Sequence, residues 1–348
     1  MEAPLPPPLP EPALPIPEPP SRPAPGPLLH PLLRSILFLI AFIAIQTGFT
    51  VGIIALAWLV DDARLTRLSQ SSEGLLLIFV ITGVPLMVMT KAFLRYLDHR
   101  PLSSLGLRWP AGGRRVAVRQ IFTLTLGTLA LVGCWLLVIR ALPDGLAAVH
   151  VRGLSPDVVK GLPWWPLPPV LLFPILLLMF LIQGGIEEWV VRGYVYHALR
   201  ERWRPFSAAF LSSVLFGLLH LMNPDVSVPA VLNVVLAGLV LNALVERSGS
   251  LWGATIAHGV WNFSLSCLAS LPVSGFPTFH LLNVSVTGNP LLTGDGFGPE
   301  GSLALTALGL PLAALLWWRM PRAPLQTLED TPLSPPSAQE DGAPVPLL

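Results

Sequence analysis

Six polar side chains that could carry out chemistry lie inside segments that are otherwise apolar. A charged group at the centre of a membrane helix costs roughly 2.5–3.5 kcal/mol on insertion scales, so such groups usually have a function. Glu188 and Arg192 are four residues apart, which puts them on one helix face in the favourable order for an ion pair. A purely structural pair is the alternative for these two residues. Glu187 is rotated by about 100° from Glu188, so its carboxylate needs another donor or serves as a general base. The six residues are Glu187, Glu188, Arg192, His220, His258 and Asn262.

Two histidines repeat the same one-turn spacing on later apolar segments. His220 follows Phe216 by four residues, and Asn262 follows His258 by four. Lipid offers no hydrogen bonds, so we expect these groups to point inward, toward each other or toward water. An interhelical hydrogen bond is the structural alternative for each of them alone. A carboxylate, two imidazoles and a carboxamide in one wet cavity would suit hydrolysis.

The composition indicates a membrane protein. Of the 348 residues, 53% are hydrophobic and 12% are charged, and the mean hydropathy is +0.66. Soluble proteins average roughly 25% charged residues. The net charge of +1 gives no indication of a nucleic-acid partner. We predict an all-α polytopic membrane protein with about eight spans, at roughly 35–60, 74–93, 118–142, 168–197, 206–222, 227–245, 250–271 and 302–319.

The spans divide the chain into five parts. Thirteen prolines fall in the first thirty residues, a composition that favours an extended tail without a core. The stretch from about Pro321 to the last residue is also rich in proline and predicts a second disordered tail. The predicted parts are a disordered Pro-rich tail (1–30), N-terminal transmembrane helices and loops (31–164), a catalytic membrane core (165–272), a loop and last transmembrane helix (273–320), and a second disordered tail (321–348).

The distribution of basic residues predicts the orientation. Eight spans place both termini on one side of the membrane. If that side is the cytoplasm, 16 of the 21 Lys and Arg residues lie inside and 5 lie outside. We therefore predict an integral protein of the cell membrane with both termini cytoplasmic.

Three short motifs resemble those of a known family. "EEWVVR" (187–192), "FGLLH" (216–220) and "HGVWN" (258–262) match EExxxR, FxxxH and HxxxN of the CPBP intramembrane endopeptidases. That family includes CAAX prenyl proteases and bacterial bacteriocin-immunity (Abi-type) proteins. The resemblance covers roughly 165–272, and "RYLDHRPLSSLGLR" (95–108) is similar to the loop that precedes the family's core.

The resemblance implies an endopeptidase that cuts membrane-associated substrates. Glu187 would activate a water held also by His220, and the hydroxide would attack a peptide carbonyl. His258 and Asn262 would stabilise the oxyanion, while Glu188 and Arg192 would shape the site. The implied partners are membrane lipid and a peptide or protein substrate near the cytoplasmic face, with no nucleic acid.

The cofactor and two other functions stay open at this point. A catalytic zinc site of the His2Glu type has one glutamate and two histidines as ligands, the same number as Glu187, His220 and His258. The sequence lacks the HExxH motif, so we favour a glutamate that activates water without a metal. A non-catalytic scaffold or bacteriocin-immunity factor with the same fold is the main alternative. A proton-coupled transporter is less favoured, because the polar groups cluster on four spans and no internal repeat is evident.

Overall fold

The computed structural model describes residues 26–60, 72–109, 113–143, 145–154, 169–276 and 282–318. Nearly all of the predicted tails at 1–30 and 321–348 fall outside these residues. Within the described ranges the chain is mainly helical, which confirms the predicted all-α membrane fold. The helices are α1 (Pro31–Val60), α2 (Ser72–Ile81), α3 (Gly83–Phe93), α4 (Gly113–Ala141), α5 (Pro169–Glu188), α6 (His197–Arg200), α7 (Pro205–Leu219), α8 (Val228–Ser248), α9 (Leu251–Phe263), α10 (Pro290–Thr293) and α11 (Leu303–Trp318).

Shorter segments join or extend these helices. Three of them are π-helical: Leu94–Asp98 after α3, Trp189–Tyr196 between α5 and α6, and Ser264–Leu268 after α9. Four single 3₁₀ turns complete the described helical structure. They are Leu102–Leu105, His220–Met222, Asp295–Phe297 and Pro299–Gly301.

Six segments of the described chain are long and apolar enough to cross a membrane, so the predicted number of eight is not confirmed. The other two predicted spans, around α9 and α11, are helical but are not among these six. The 16 residues of α11 rise roughly 24 Å, less than a ~30 Å hydrocarbon core. The six are Pro31–Val60, Leu76–Asp98, Arg114–Ala141, Leu171–Arg200, Pro205–Met222 and Val228–Ser248.

A two-stranded antiparallel sheet, which we did not predict, joins distant parts of the chain. Its strands are β1 (Ala147–Leu154) and β2 (Leu282–Gly288). Ala147 pairs with Gly288, whose φ of +131° and contact with the backbone of β1 leave no room for a side chain. The pair therefore links the end of α4 to the segment before α11.

Glycines allow α5 and α9 to pack closely. A Cβ at Gly259 would lie 2.7 Å from the Cα of Leu181, and one at Gly184 would lie 3.0 Å from the backbone nitrogen of Gly259. Small residues at an interface let two membrane helices approach backbone to backbone. This contact places the side chains at the end of α5 beside those of α9.

The loop after α3 docks on the turn between α8 and α9. The turn itself needs Gly249, whose φ is +62°. Ser250 donates from Oγ to the carbonyl of Arg108 at 2.7 Å, and the backbone N–H of Leu251 donates to the carbonyl of Gly106 at 2.9 Å. The loop thereby fixes the start of α9 relative to the rest of the bundle.

Buried charges and rings fix the first half of α1. Arg34 is fully buried and pairs with Asp98 and Glu201. One turn further, Phe38 stacks on Tyr194 with ring centroids 3.9 Å apart. Phe38 comes after Arg34 in α1, whereas its partner Tyr194 comes before Glu201, the partner of Arg34. The two segments therefore run antiparallel.

Candidate active site

Glu188 and Arg192 form a fully buried ion pair. Arg192 donates from Nη1 to Glu188 Oε1 at 2.9 Å, and neither side chain is exposed. The guanidinium also lies over the ring of Phe216, 4.5 Å from its centroid. His258 brings a third polar group, because its Nδ1 lies 2.8 Å from the same carboxylate oxygen. The pair therefore connects the ends of α5, α7 and α9.

Arg192 lies on a widened stretch of helix. Residues 189–196 are π-helical, and the backbone carbonyl of Arg192 is 2.6 Å from Nδ1 of His197. A carbonyl only accepts, so this nitrogen of His197 carries the proton. Single π turns inside α-helices occur frequently at functional sites.

Glu187 has a different environment from its neighbour. Its side chain is 15% exposed, whereas that of Glu188 is fully buried. Gln183 donates from Nε2 to Glu187 Oε1 at 2.5 Å. The other carboxylate oxygen faces Nε2 of His258 at 3.6 Å. Of the two alternatives that the sequence left for Glu187, another donor is present, four residues earlier, and the side chain keeps partial exposure.

Asn262 is connected to Glu187 through Gln183. Its Nδ2 donates to Gln183 Oε1 at 2.9 Å, and Gln183 in turn donates to Glu187. We did not single out Gln183 from the sequence. Two signals could have found it, since it is the one polar side chain in the apolar run 170–186 and lies four residues before Glu187.

His220 lies in the 3₁₀ turn that follows α7. Its Nδ1 is 2.9 Å from the carbonyl of Phe216 and therefore donates to it, which leaves Nε2 as an acceptor. The ring of Phe216 packs edge-on against both His220 and His258. Phe216 thus separates the ion pair from the imidazole of His220.

Two cavities meet at the histidines. A cavity of about 600 Å³ is lined by Glu187, His220, His258 and Asn262, together with Gln183 and residues of α1 and α2. Glu188 and Arg192 are not part of its lining. A second cavity of about 280 Å³ lies between α4, α8, α9 and α11, and is mostly apolar. His220 and His258 line both cavities.

The three residues considered as zinc ligands do not form a ligand set. Among the described residues, no group of three His, Cys, Asp or Glu side chains is arranged to hold a metal ion. Nδ1 of His258 faces Glu188 and Nδ1 of His220 faces a backbone carbonyl, so Nε2 of each ring is left for another partner. Because no group of three ligands is assembled among the described residues, we derive no step through a metal.

The comparison with known proteins agrees with the motifs. Residues 169–264 match the family model described as type II CAAX prenyl endopeptidase Rce1-like, and this range contains α5 to α9 and all six predicted site residues. No curated protein matches the chain. The family indicates an intramembrane endopeptidase, in agreement with the apolar helices that could cross a membrane. Residues 169–264 therefore resemble the Rce1-like endopeptidase domain, and they are the part of the chain that contains all three motifs.

Proposed function

We propose that the protein hydrolyses peptide bonds of membrane-associated substrates with a water molecule that Glu187 activates. One observation carries this proposal: Glu187 is the carboxylate that reaches the larger cavity from the polar cluster, with one oxygen held by Gln183. Glu188, fully buried and paired with Arg192, has no such access. A base needs contact with the water it deprotonates, so the two adjacent acids have different roles.

In the proposed reaction, Glu187 removes a proton from water, and the hydroxide attacks the peptide carbonyl. Nε2 of His220 accepts from the same water, because Nδ1 is already used on the backbone. The amide of Asn262 uses one N–H on Gln183, which leaves the second N–H for the oxyanion. Glu187 then returns the proton to the leaving amine, so the carbon–nitrogen bond breaks and the acid is regenerated.

His258 completes the proposed site. Glu188 holds its Nδ1, and its Nε2 faces the cavity near Glu187. A protonated imidazole in this position would donate to the developing oxyanion. Removing one donor of this kind commonly costs about 3–4 kcal/mol in the transition state, a factor of roughly 10² to 10³ in rate.

The proposed substrates carry an apolar group beside the bond that is cut. The smaller cavity shares His220 and His258 with the catalytic cavity and is otherwise mostly apolar. An apolar side chain or a lipid chain attached to the peptide would fill it. The name of the matched family points to prenylated peptides, which are therefore the first substrates to compare with unmodified ones.

The site lies well inside the bilayer in this proposal. Glu187 precedes Arg200, the last residue of α6, by thirteen residues, which corresponds to roughly 20 Å of helix. With both termini cytoplasmic in the cell membrane, the substrate would enter from the cytoplasmic leaflet or from the side. Reporters fused to either terminus would test this orientation, and an external reporter would contradict it.

The test of the proposed function is Glu187→Gln, compared with Glu246→Gln. Glu246 is a buried acid on α8 that accepts from Tyr196 at 2.6 Å and does not line the larger cavity. We expect both variants to accumulate in the membrane, and peptide release to stop only in Glu187→Gln. Purified protein in lipid nanodiscs and mass spectrometry of peptides released from membranes would measure this. Wild-type turnover in Glu187→Gln would rule out the base, and retention of a cellular phenotype would indicate a scaffold.

The metal question has its own experiment. A water-activating glutamate needs no metal, so cleavage by the purified protein should persist in a strong chelator. Loss of activity in the chelator and recovery with zinc would overturn this mechanism.

A further inference from the structure

The first helix carries three polar residues in the middle of an apolar sequence. Gln46, Thr47 and Thr50 lie near the centre of α1, which meets the length and hydropathy criteria for a membrane span. All three line the cavity of about 600 Å³ that also contains Glu187. They are outside 169–264, so the family match does not account for them.

The packing of α1 sets these residues at the level of the catalytic acid. Phe38 stacks on Tyr194, and the two segments run antiparallel. Gln46 lies eight residues after Phe38, roughly 12 Å along α1, and Glu187 lies seven residues before Tyr194, roughly 10 Å along the other segment. Gln46 and Glu187 therefore line one cavity at a similar depth, from two different helices.

Gln46 has an acceptor without a donor. Its Oε1 is buried and has no hydrogen-bond partner among the residues that the structure describes. Thr50, one turn later, donates from its hydroxyl to the backbone carbonyl of Gln46 at 2.9 Å. A buried acceptor left unpaired is unfavourable, above all within a bilayer. Because Gln46 lines the cavity, a rotation of its side chain would let this free acceptor bind a group that enters the cavity.

We propose that Gln46 Oε1 accepts a hydrogen bond from a main-chain N–H of the substrate peptide and so aligns the peptide across from Glu187. The inference rests on the proposed peptidase function. A peptide in this cavity must pair its N–H groups with the protein, because lipid cannot. A main-chain N–H is present whatever the side chain, so the contact would bind many sequences.

The first test compares Gln46→Leu with Gln120→Leu. Gln120 lies on α4 beside Gly253 and does not line this cavity, so the second variant is a matched change. With a fluorogenic, lipid-anchored peptide, we expect Gln46→Leu to raise KM about fivefold to tenfold with little change in kcat. Gln120→Leu should keep the wild-type KM. An unchanged KM in Gln46→Leu would overturn the inference.

A substrate series makes the test specific for the main chain. Each peptide of the series has one amide replaced by an ester, which removes one N–H. At one position we expect the wild type to lose about fivefold to tenfold in kcat/KM, and Gln46→Leu to lose nothing further at that position. Equal losses in both proteins at every position would show that Gln46 does not contact a main-chain N–H.

A binding test separates this inference from the activity. In Glu187→Gln protein lacking both native cysteines, Gln46→Cys should react with a charged thiosulfonate reagent, and the same peptide series should slow the reaction. Ala44→Cys, an exposed position on another face of α1, is the control and should stay unlabelled in lipid. If the peptides protect Cys at position 46 but active protein cleaves none of them, the proposed peptidase function is wrong and the peptide contact stands. If active protein cleaves the peptides but they do not protect position 46, only the proposed contact with Gln46 is wrong.

Discussion

Replacing Arg192 by methionine should destabilise the protein strongly, because it leaves a buried carboxylate without its cation. Arg192 and Glu188 are both fully buried, 2.9 Å apart. Removing one partner of a buried pair costs about 3–5 kcal/mol in the free energy of unfolding. We expect the lower half of that range, about 3–4 kcal/mol, since His258 still faces Glu188 at 2.8 Å.

The double variant Glu188→Gln with Arg192→Met tests the cause. An amide oxygen at position 188 still accepts from His258 and carries no charge, so at least half of the lost stability should return without recovery of activity. Thermal unfolding in detergent and abundance in membranes would measure both variants. Arg202→Met is the control, because Arg202 is exposed and forms no ion pair with a described residue, and a surface change of this kind usually costs less than about 0.5 kcal/mol. Unfolding of Arg192→Met at the wild-type temperature would refute the role of the pair.

Two further predictions concern the position of Glu187 and the packing of its helix. Gln183→Leu removes the donor to Glu187 and should lower kcat about tenfold to a hundredfold at unchanged abundance; steady-state kinetics with wild-type kcat would contradict this. Gly259→Ala places a methyl group 2.7 Å from the Cα of Leu181 and should cost about 1–3 kcal/mol in thermal unfolding. Gly133→Ala on α4 meets nothing within 4 Å and should be neutral or slightly stabilising, so an equal loss in both variants would contradict the packing.

The helical fold could be predicted from the sequence because lipid imposes a simple pattern. A long apolar run must form a helix in the membrane, and all eight predicted spans are helical in the structure. The number of spans could not be predicted as well, because the sequence shows where an apolar run lies but not where its helix ends, and α11 stops after 16 residues. The sheet was missed because its strands pair across a long stretch of sequence, Leu154 with Leu282, which no local pattern indicates.

Within the candidate site, contacts inside one helix were easier to predict than contacts between helices. The i,i+4 spacing of Glu188 and Arg192 sets their contact directly. The contact of Glu188 with His258 bridges seventy residues of sequence, and no local pattern indicates it. Gln46 was overlooked for a related reason, because a polar residue in a membrane helix becomes informative only when its surroundings are known.

The two strands of the small sheet are synthesised at different times, which determines when the sheet can form. Leu154 of β1 pairs with Leu282 of β2, so the first strand leaves the ribosome long before its partner exists. Every helix from α5 to α9 is translated in the interval. The strand pair is therefore one of the last contacts that a nascent chain can make. A chain that stops before residue 282 would contain all of residues 169–264, the range that matches the Rce1-like model, without this sheet.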